Sequence, residues 1–544
     1  MNYNSLSELL FPDINNTVDY YEKIYPRRDL VTNAKVTRFA PSPTGFMHLG
    51  NLYGALADER IARQSGGVFY LRIEDTDKKR EVEGAVEAII KSLEFYGIKF
   101  DEGEINDTTK GAYGPYRQRA REDIYKVYAK KLVSEGRAYP CFCSEQDLSD
   151  MRLTQESKKV NYGYYGEYAV HRDFSLEQIE EKLNNGEPYV LRFKSMGDIT
   201  KKYSVSDPIR GEVIIPQNDQ DMVLLKSDGI PTYHFAHVVD DYLMRTTTVI
   251  RGEEWLSTLP FHIELFNALG FTPPEYIHTA HLLKSENGGK RKLSKRKDEE
   301  AALTYYMEKG YPSEALIIYL LTLLNSDFED WYRVNTDKSY LEFPVKAEKF
   351  SISGALFDLN KLNDISKEFI SKQNAENIYN RVTEYAKAYD DKLYMLLSEN
   401  KKYAVDIFAI GRDVPKPRKD IAYFSQIFDY ISFFYDDYFE IKDNYPENIT
   451  ADDRTAILQK FADIYDENDT NEQWFEKMKA ICTELGFAAN TKDYKAEPDK
   501  YNGHVGDVSM VLRIAVTGRS QSPDLCQCMK IIGKKGVIKR LERI

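Results

Sequence analysis

Two loops in this sequence carry residue types suited to binding an activated phosphate. The first is Arg38-Phe-Ala-Pro-Ser-Pro-Thr-Gly-Phe-Met-His48-Leu-Gly50-Asn51. Pro41, Pro43 and Gly45 forbid regular structure, and small residues follow at a helix start. A strand that ends in such a turn and leads into a helix aims unpaired backbone N–H groups at an anion. His48 at that helix start can donate to a phosphate, and Gly50 lets an adenine or ribose approach the backbone closely. The second loop is Lys290-Arg-Lys292-Leu-Ser294-Lys295-Arg296-Lys297, directly after Asn287-Gly288-Gly289. A basic loop on a flexible glycine hinge can close over a triphosphate and neutralise charge developing on it. Taken singly, each loop has a plain competing reading: a surface turn for the first, a solvated basic run for the second.

The elements that must position these loops follow from the apolar pattern. Val36 to Ala40 reads as a strand, Leu49 to Arg60 as a helix and Gly67 to Ile73 as a second strand. Val82, Val86, Ile89, Ile90, Leu93 and Tyr96 recur at helical spacing, with Gly97 as the stop. Strand, helix, strand, helix predicts a parallel sheet with crossover helices. The rhythm breaks near Tyr139, and the stretch from Cys141 to about Gln220 is charged and irregular, as an inserted α+β domain would be. Strands return at Met222 to Leu225 and Thr247 to Ile250, then a helix from Leu256 to Leu269 and a strand from Tyr276 to His278. This predicts one nucleotide-binding domain split by an insertion. Residues 1–35 read as an extension of Asn-rich loops with a short helix, and the chain beyond Ala301 as mainly helical.

With 544 residues the chain exceeds what one hydrophobic core supports. Apolar residues at 42% and charged residues at 30% fit a globular soluble protein. The longest apolar stretch, Ala315 to Leu324, is too short to span a membrane, and Met1 to Leu10 shows no signal-peptide pattern. Five cysteines, an odd number, fit reduced thiols in a cytoplasm. The net charge of −13 excludes a histone-like protein but not an RNA-binding enzyme, because basic residues need only cluster where phosphates lie.

Together the loops resemble the two signatures of class I aminoacyl-tRNA synthetases, His-Ile-Gly-His and Lys-Met-Ser-Lys-Ser. This chain has His48-Leu49-Gly50-Asn51 and Lys292-Leu293-Ser294-Lys295-Arg296, in the family's order. Arg38-Phe-Ala-Pro-Ser-Pro-Thr-Gly, Arg72-Ile-Glu-Asp-Thr-Asp77, Gly114-Pro-Tyr-Arg-Gln118, Val249-Ile-Arg-Gly-Glu-Glu-Trp255 and Leu512-Arg-Ile-Ala-Val-Thr-Gly518 resemble the bacterial glutamyl-tRNA synthetases. The likeness runs from about residue 36 to the end. Asn51 and Arg296 depart from the last residues of the two signatures, and both changes look usual among bacterial glutamyl enzymes.

The resemblance implies an α/β Rossmann-type catalytic domain over 36–140 and 221–290, split by an acceptor-stem-binding insertion over 141–220. The signature loop and a stem-contact domain follow over 291–370, then an all-helical anticodon-binding domain over 371–544. It implies a two-step reaction: ATP and L-glutamate give glutamyl-adenylate and pyrophosphate, then the terminal ribose hydroxyl of tRNA(Glu) takes the glutamyl group. ATP comes with Mg²⁺ and no dedicated protein cage, and tRNA must be bound before activation becomes efficient. The resemblance assigns catalysis to His48, Lys292, Ser294 and Lys295. It gives glutamate's carboxylates to Arg38 and Arg251, its ammonium to Glu74, a hydrogen bond to Ser42, and the pocket lining to Ala40, Tyr233 and His237. Pro41, His48, Gly50, Asn51, Glu254, Trp255 and Lys295 attend ATP. His237 stands where some relatives have asparagine, and a core histidine is the competing reading; Trp255 likewise competes with a core role. A cytoplasmic monomer without membrane or DNA partner is expected.

A glutaminyl-tRNA synthetase shares these signatures, but its first motif usually reads Pro-Glu-Pro-Asn. A glutamyl transferase acting on a tRNA base ends near the second signature, whereas this chain runs on from Lys295 to residue 544. A non-enzymatic relative is expected to lose Arg38, His48, Glu74 or Lys295, and all four are present. Whether tRNA(Gln) is charged as well is not legible. Some bacterial glutamyl enzymes bind zinc at a Cys-x-Cys such as Cys141-Phe-Cys143, with a later Cys and His two apart. Tyr168 and Val170 stand in those places here. His171 offers a third ligand, no fourth is evident, and Cys526 and Cys528 lie far along the chain. Zinc needs four ligands, so no structural zinc is expected.

Overall fold

The computed structural model describes residues 2–45, 47–105, 108–294 and 296–543. Short runs buried on both faces make its central strands. Val36–Phe39 and Val68–Leu71 pair in parallel, from Val36↔Val68 to Phe39↔Leu71. Thr248–Gly252 and Glu275–Thr279 form a second parallel pair, from Thr248↔Glu275 to Gly252↔Thr279. Thr247 ties the pairs together: its N–H donates to the Val36 carbonyl at 3.0 Å and its hydroxyl accepts from the Val36 N–H at 2.8 Å. The helix Leu49–Gln64 covers these strands with Leu49, Leu52, Tyr53, Ala55 and Leu56. Leu49–Gln64 is the crossover helix of the first pair, and the next helix, Ala85–Phe95, is shorter than its apolar spacing suggests. Gly84 sits left-handed before it and Gly97 left-handed after it, so Val82 stays outside and exposed.

The strand expected at Met222 to Leu225 exists as Val223–Leu225, but it does not rejoin the parallel pairs. It lies antiparallel to Val190–Phe193, which in turn pairs with Ala138–Cys141. An apolar run shows that a strand is buried and not which neighbour buries it. Lys202–Asp207 and Gly211–Pro216 form a separate antiparallel hairpin. The helix expected from Leu256 begins only at Leu259, after a 3-10 turn over Glu253–Thr258, with Pro260 in its first turn.

The glycines before the basic loop lie in a hairpin. Leu282–Glu286 and Gly289–Lys292 form an antiparallel hairpin, and Asn287 and Gly288 make the two-residue turn with φ of 49° and 79°. Both values are left-handed, as an Asn-Gly hairpin turn of type I′ requires. Ala355–Leu356 adds a strand parallel to Leu282–Glu286. Residues 1–35 are also more ordered than an extension of loops. The helices Tyr3–Leu10 and Val18–Ile24 pack on Glu122–Ser134, burying Leu6, Leu10, Phe11, Tyr21 and Tyr25. Arg28 then makes a two-pronged ion pair with Glu102 at 2.7 and 2.9 Å.

The chain forms two compact units, Met1–Tyr305 with Ile317–Asp358, and Tyr306–Leu316 with Leu359–Ile544. The boundary expected between 370 and 371 therefore falls inside the second unit. That unit is built of helices, among them Ala375–Tyr389, Asn471–Glu484 and Val505–Thr517, around two apolar clusters that bury Cys526 and Cys528. Among the described residues, no helix is long and apolar enough to cross a membrane.

Candidate active site

The carboxyl ends of the four parallel strands open into a cavity of about 520 Å³, a size that suits a small-molecule ligand. Its wall brings together residues far apart in the chain: Arg38, Ala40, Ser42, His48, Gly50, Asn51, Glu74, Tyr233, Arg251, Glu254, Trp255 and Lys292. Pro41, His237 and Ser294 are not on that wall. Lys295 lies outside the described residues.

His48 caps the helix Leu49–Gln64. Its Nδ1 accepts from the Asn51 N–H at 3.0 Å, while Asn51 Oδ1 accepts from the His48 N–H at 3.1 Å. Nδ1 is an acceptor, so Nε2 carries the ring proton. A Cβ on Gly50 would come within 3.1 Å of the His48 ring, which explains a glycine here by packing. Past the second signature, Asp298 fastens the basic strand. It accepts from Arg291 at 2.6 and 2.7 Å and from the Ser294 N–H at 3.0 Å, and these bonds hold its carboxyl well below the usual range.

Beneath the cavity lies a dense set of buried charges. Arg72, fully buried, pairs with Asp241 and donates to Glu74 Oε1 at 3.0 Å. Arg38 Nε lies 3.3 Å from the same Asp241. Burial opposes the charge on Asp241, yet Arg72 and Arg38 hold its carboxyl well below the usual range. Burial wins at Glu74, whose carboxyl is pushed up to about 7 despite Arg72 and Arg38.

Arg251 differs from these arginines. It is 8% exposed, and its fixed partners are neutral. Nε donates to His278 Nε2 at 3.0 Å, Nη1 lies 3.0 Å from His262 Nδ1, and Nη2 donates to the Trp255 carbonyl at 3.4 Å. Burial drives His262 well below its ordinary value, and His234 and His237 down to about 4, so these rings are uncharged at neutral pH. Among the described residues no carboxylate lies within ion-pair distance of Arg251. A guanidinium held in a pocket without an anion is a site for one.

His237, expected to line the pocket, is fully buried behind it. It stacks on Tyr233 at 5.7 Å, lies 2.8 Å from Asp241 Oδ2 and 3.0 Å from the Tyr276 hydroxyl. Trp255 does reach the wall, 4.5 Å from the Tyr233 ring. Sequence reasoning missed Arg72 and His278 as functional residues, and Asp241, His262 and Asp298 altogether. Four of the chain's eight histidines (His234, His237, His262 and His278) gather around Arg251 and its neighbours, a density the sequence shows only as scattered letters.

The Cys141 and Cys143 thiols meet His171, as ligand counting allowed, but a fourth polar atom joins them. The Tyr164 hydroxyl lies 3.4 Å from Cys141 Sγ, 3.6 Å from Cys143 Sγ and 3.5 Å from His171 Nδ1. The two sulfurs lie 3.7 and 3.4 Å from that nitrogen. A tetrahedral zinc site has donor-to-donor edges of about 3.3–3.8 Å, and these five distances fall in that range; two thiols and an imidazole are usual zinc ligands, while a phenol is not. Tyr164, which spacing from a Cys-and-His pattern does not find, adds a fourth polar atom to the three ligands already counted.

Comparison with known proteins agrees with this geometry. The family model for the catalytic domain of class I tRNA synthetases (E and Q) matches residues 35–364, and that for an anticodon binding domain matches residues 377–544. A glutamate–tRNA ligase of Acetivibrio thermocellus is 55% identical over 100% of both chains. One from Clostridium perfringens strain 13 is 46% identical over 99% of this chain and 100% of the relative. The crystal structure of a glutamate tRNA ligase from Elizabethkingia meningosepticum in complex with its amino acid is similar, with a TM-score of 0.76 at 29% identity, covering 94% of this chain and 99% of that one. The chain belongs to the class I tRNA synthetase family that comprises the glutamyl and glutaminyl enzymes.

Proposed function

We propose that the chain is an ATP-dependent glutamate–tRNA ligase, which joins L-glutamate to the 3′ end of tRNA(Glu) through glutamyl-adenylate. The observation that carries this reading is the buried, anion-free Arg251 facing a cavity that also holds Arg38 and Glu74. Glutamate brings two carboxylates and one ammonium. Arg251 and Arg38 take the carboxylates, Glu74 the ammonium, and Ser42, Ala40 and Tyr233 shape the pocket between them. Class I synthetases use ATP with Mg²⁺. When bound, the ion would draw charge from the triphosphate, and His48, through Nε2–H, with Pro41, Gly50 and Asn51 would hold the nucleotide beside Glu254 and Trp255. The bound carboxylate is its own nucleophile, so the chain supplies position and charge. Lys292, Ser294 and Lys295 act on the leaving pyrophosphate, a role that rests on the second signature.

The Rossmann-type reading of the parallel strands is supported by their register and crossover helix, and the reading of 141–220 as an acceptor-stem insertion by its antiparallel strands. The helical unit is read as the anticodon-binding part, in line with the second family model. A cytoplasmic monomer remains the expectation. The donor spacing at Cys141, Cys143, Tyr164 and His171 supports a structural zinc in place of the metal-free expectation.

Charging assays with radiolabelled amino acids on tRNA(Glu) and tRNA(Gln) test the function. Glutamate is expected on tRNA(Glu). Transfer of glutamine in place of glutamate would refute the reading, and glutamate on both tRNAs would broaden it.

A further inference from the structure

Arg251 is braced by a histidine, and that histidine is braced by an acid from a separate element. Asp207 ends the strand Lys202–Asp207 of the antiparallel hairpin, which contributes no residue to the cavity wall. Its Oδ2 accepts from the His278 backbone N–H at 3.0 Å and lies 2.9 Å from His278 Nδ1. Its Oδ1 accepts from the backbone N–H groups of Ile209 at 2.8 Å and Arg210 at 3.3 Å. On the far side of the ring, His278 Nε2 accepts from Arg251 Nε at 3.0 Å. Asp207 is 1% exposed and His278 fully buried, so little water competes for these bonds.

One ring tautomer satisfies both ends. Arginine has no acceptor, so Nε2 must be bare, and Nδ1 then carries the proton that Asp207 receives. The other tautomer would set a bare Nδ1 against a carboxylate and an N–H against an N–H. Burial keeps His278 below its ordinary value, against the pull of Asp207, so the ring stays neutral and can accept. Arg210 adds a second brace from the same turn, donating to Glu253 at 2.7 Å.

We propose that Asp207 is a positioning residue for substrate carboxylate binding: it fixes the Nδ1–H tautomer of His278, and His278 Nε2 in turn sets the orientation of the Arg251 guanidinium. The inference rests on Arg251 as a carboxylate ligand. It gives the hairpin a part in amino-acid binding although the hairpin touches no substrate. An acid that holds a histidine in one tautomer is a known catalytic device, and here the oriented group is an arginine.

Two measurements test it. In the wild-type chain, ¹⁵N NMR of labelled histidines should show His278 neutral and protonated on Nδ1 at pH 7. The Asp207→Asn variant keeps the side chain's shape and one oxygen for the Ile209 and Arg210 N–H groups, but turns an amide N–H toward Nδ1 and leaves the His278 backbone N–H without its acceptor. The ring should then move to the Nε2–H tautomer. The glutamate KM should rise on the order of tenfold or more, with the ATP KM within about twofold and a cooperative melting transition lowered only by the lost backbone hydrogen bond. A wild-type ring protonated on Nε2, or an Asn variant with an unchanged glutamate KM, overturns the proposal. Should the variant not fold, the wild-type spectrum decides alone. A wild-type chain that activates no glutamate would instead count against the function and leave the tautomer result standing.

Discussion

At the scale of single residues, the site is an exercise in which charges are compensated and which are not. Arg38 and Arg72 share Asp241, whereas Arg251 rests on neutral rings. Arg251→Lys keeps the charge but loses the planar fork and the contact to His278. We expect its glutamate KM to rise at least about tenfold with the ATP KM little changed. Equal effects on both substrates would show that the lysine disturbed the whole cavity. Glu74 makes a second prediction. Its carboxyl titrates near 7, because burial raises it, and only the ionised form attracts an ammonium group. Glutamate affinity should therefore weaken as pH falls from 8 to 6, and Glu74→Gln should bind more weakly and lose that dependence; calorimetry at the two pH values reads both. The sign for stability is opposite. A raised carboxyl favours the protonated folded state, so its contribution is fully present below the unfolded value and is lost as pH climbs through about 7.

At the scale of elements, the sequence was most informative where one local rule decides. Val68–Leu71 is readable because a strand buried on both faces is largely apolar, and Gly97 stops its helix where only glycine sits easily. It was least informative where a partner decides. Nothing in Met222 to Leu225 says that its neighbour is Val190–Phe193. The basic hairpin was legible and overlooked: Asn287-Gly288 between alternating residues is a turn signal, yet the adjacent Gly289 suggested a hinge. His262 and His278 carry no local mark of their contact with Arg251. The same limit hid Tyr164, which a loop brings to the two thiols. From that cluster we expect about one zinc per chain in tag-free protein, with Cys141→Ser losing the metal and melting at a lower temperature. Metal-free protein of undiminished stability returns the cluster to two reduced thiols and a hydrogen-bonded phenol.

At the scale of the whole molecule, the first 35 residues belong to the fold. Leu6, Leu10, Phe11, Tyr21 and Tyr25 are buried within the first unit, and Arg28 locks onto Glu102, whose carboxylate also accepts from Tyr116 at 2.8 Å. Removing residues 1–33 should expose that surface and lower the melting temperature by about 5 °C or more, given the apolar area involved. An unchanged melting curve would show the segment to be a passenger.

The division of the chain into units has a consequence for synthesis. The path crosses between units at 305/306, 316/317 and 358/359, so the second unit owns a segment made before most of itself. Within that segment Tyr306, Tyr311, Ala315 and Leu316 are buried, Tyr311 donates to Asn363 at 2.5 Å, and the Gly310 carbonyl accepts from the Phe424 N–H at 3.0 Å. A ribosome that has reached residue 358 has produced Gly310 and Tyr311 but not Asn363, Tyr423 and Phe424, which meet them. Until the helices beyond arrive, the nascent chain holds an apolar stretch open to water, and with it a window for chaperone capture or aggregation that a molecule with units in simple succession does not have.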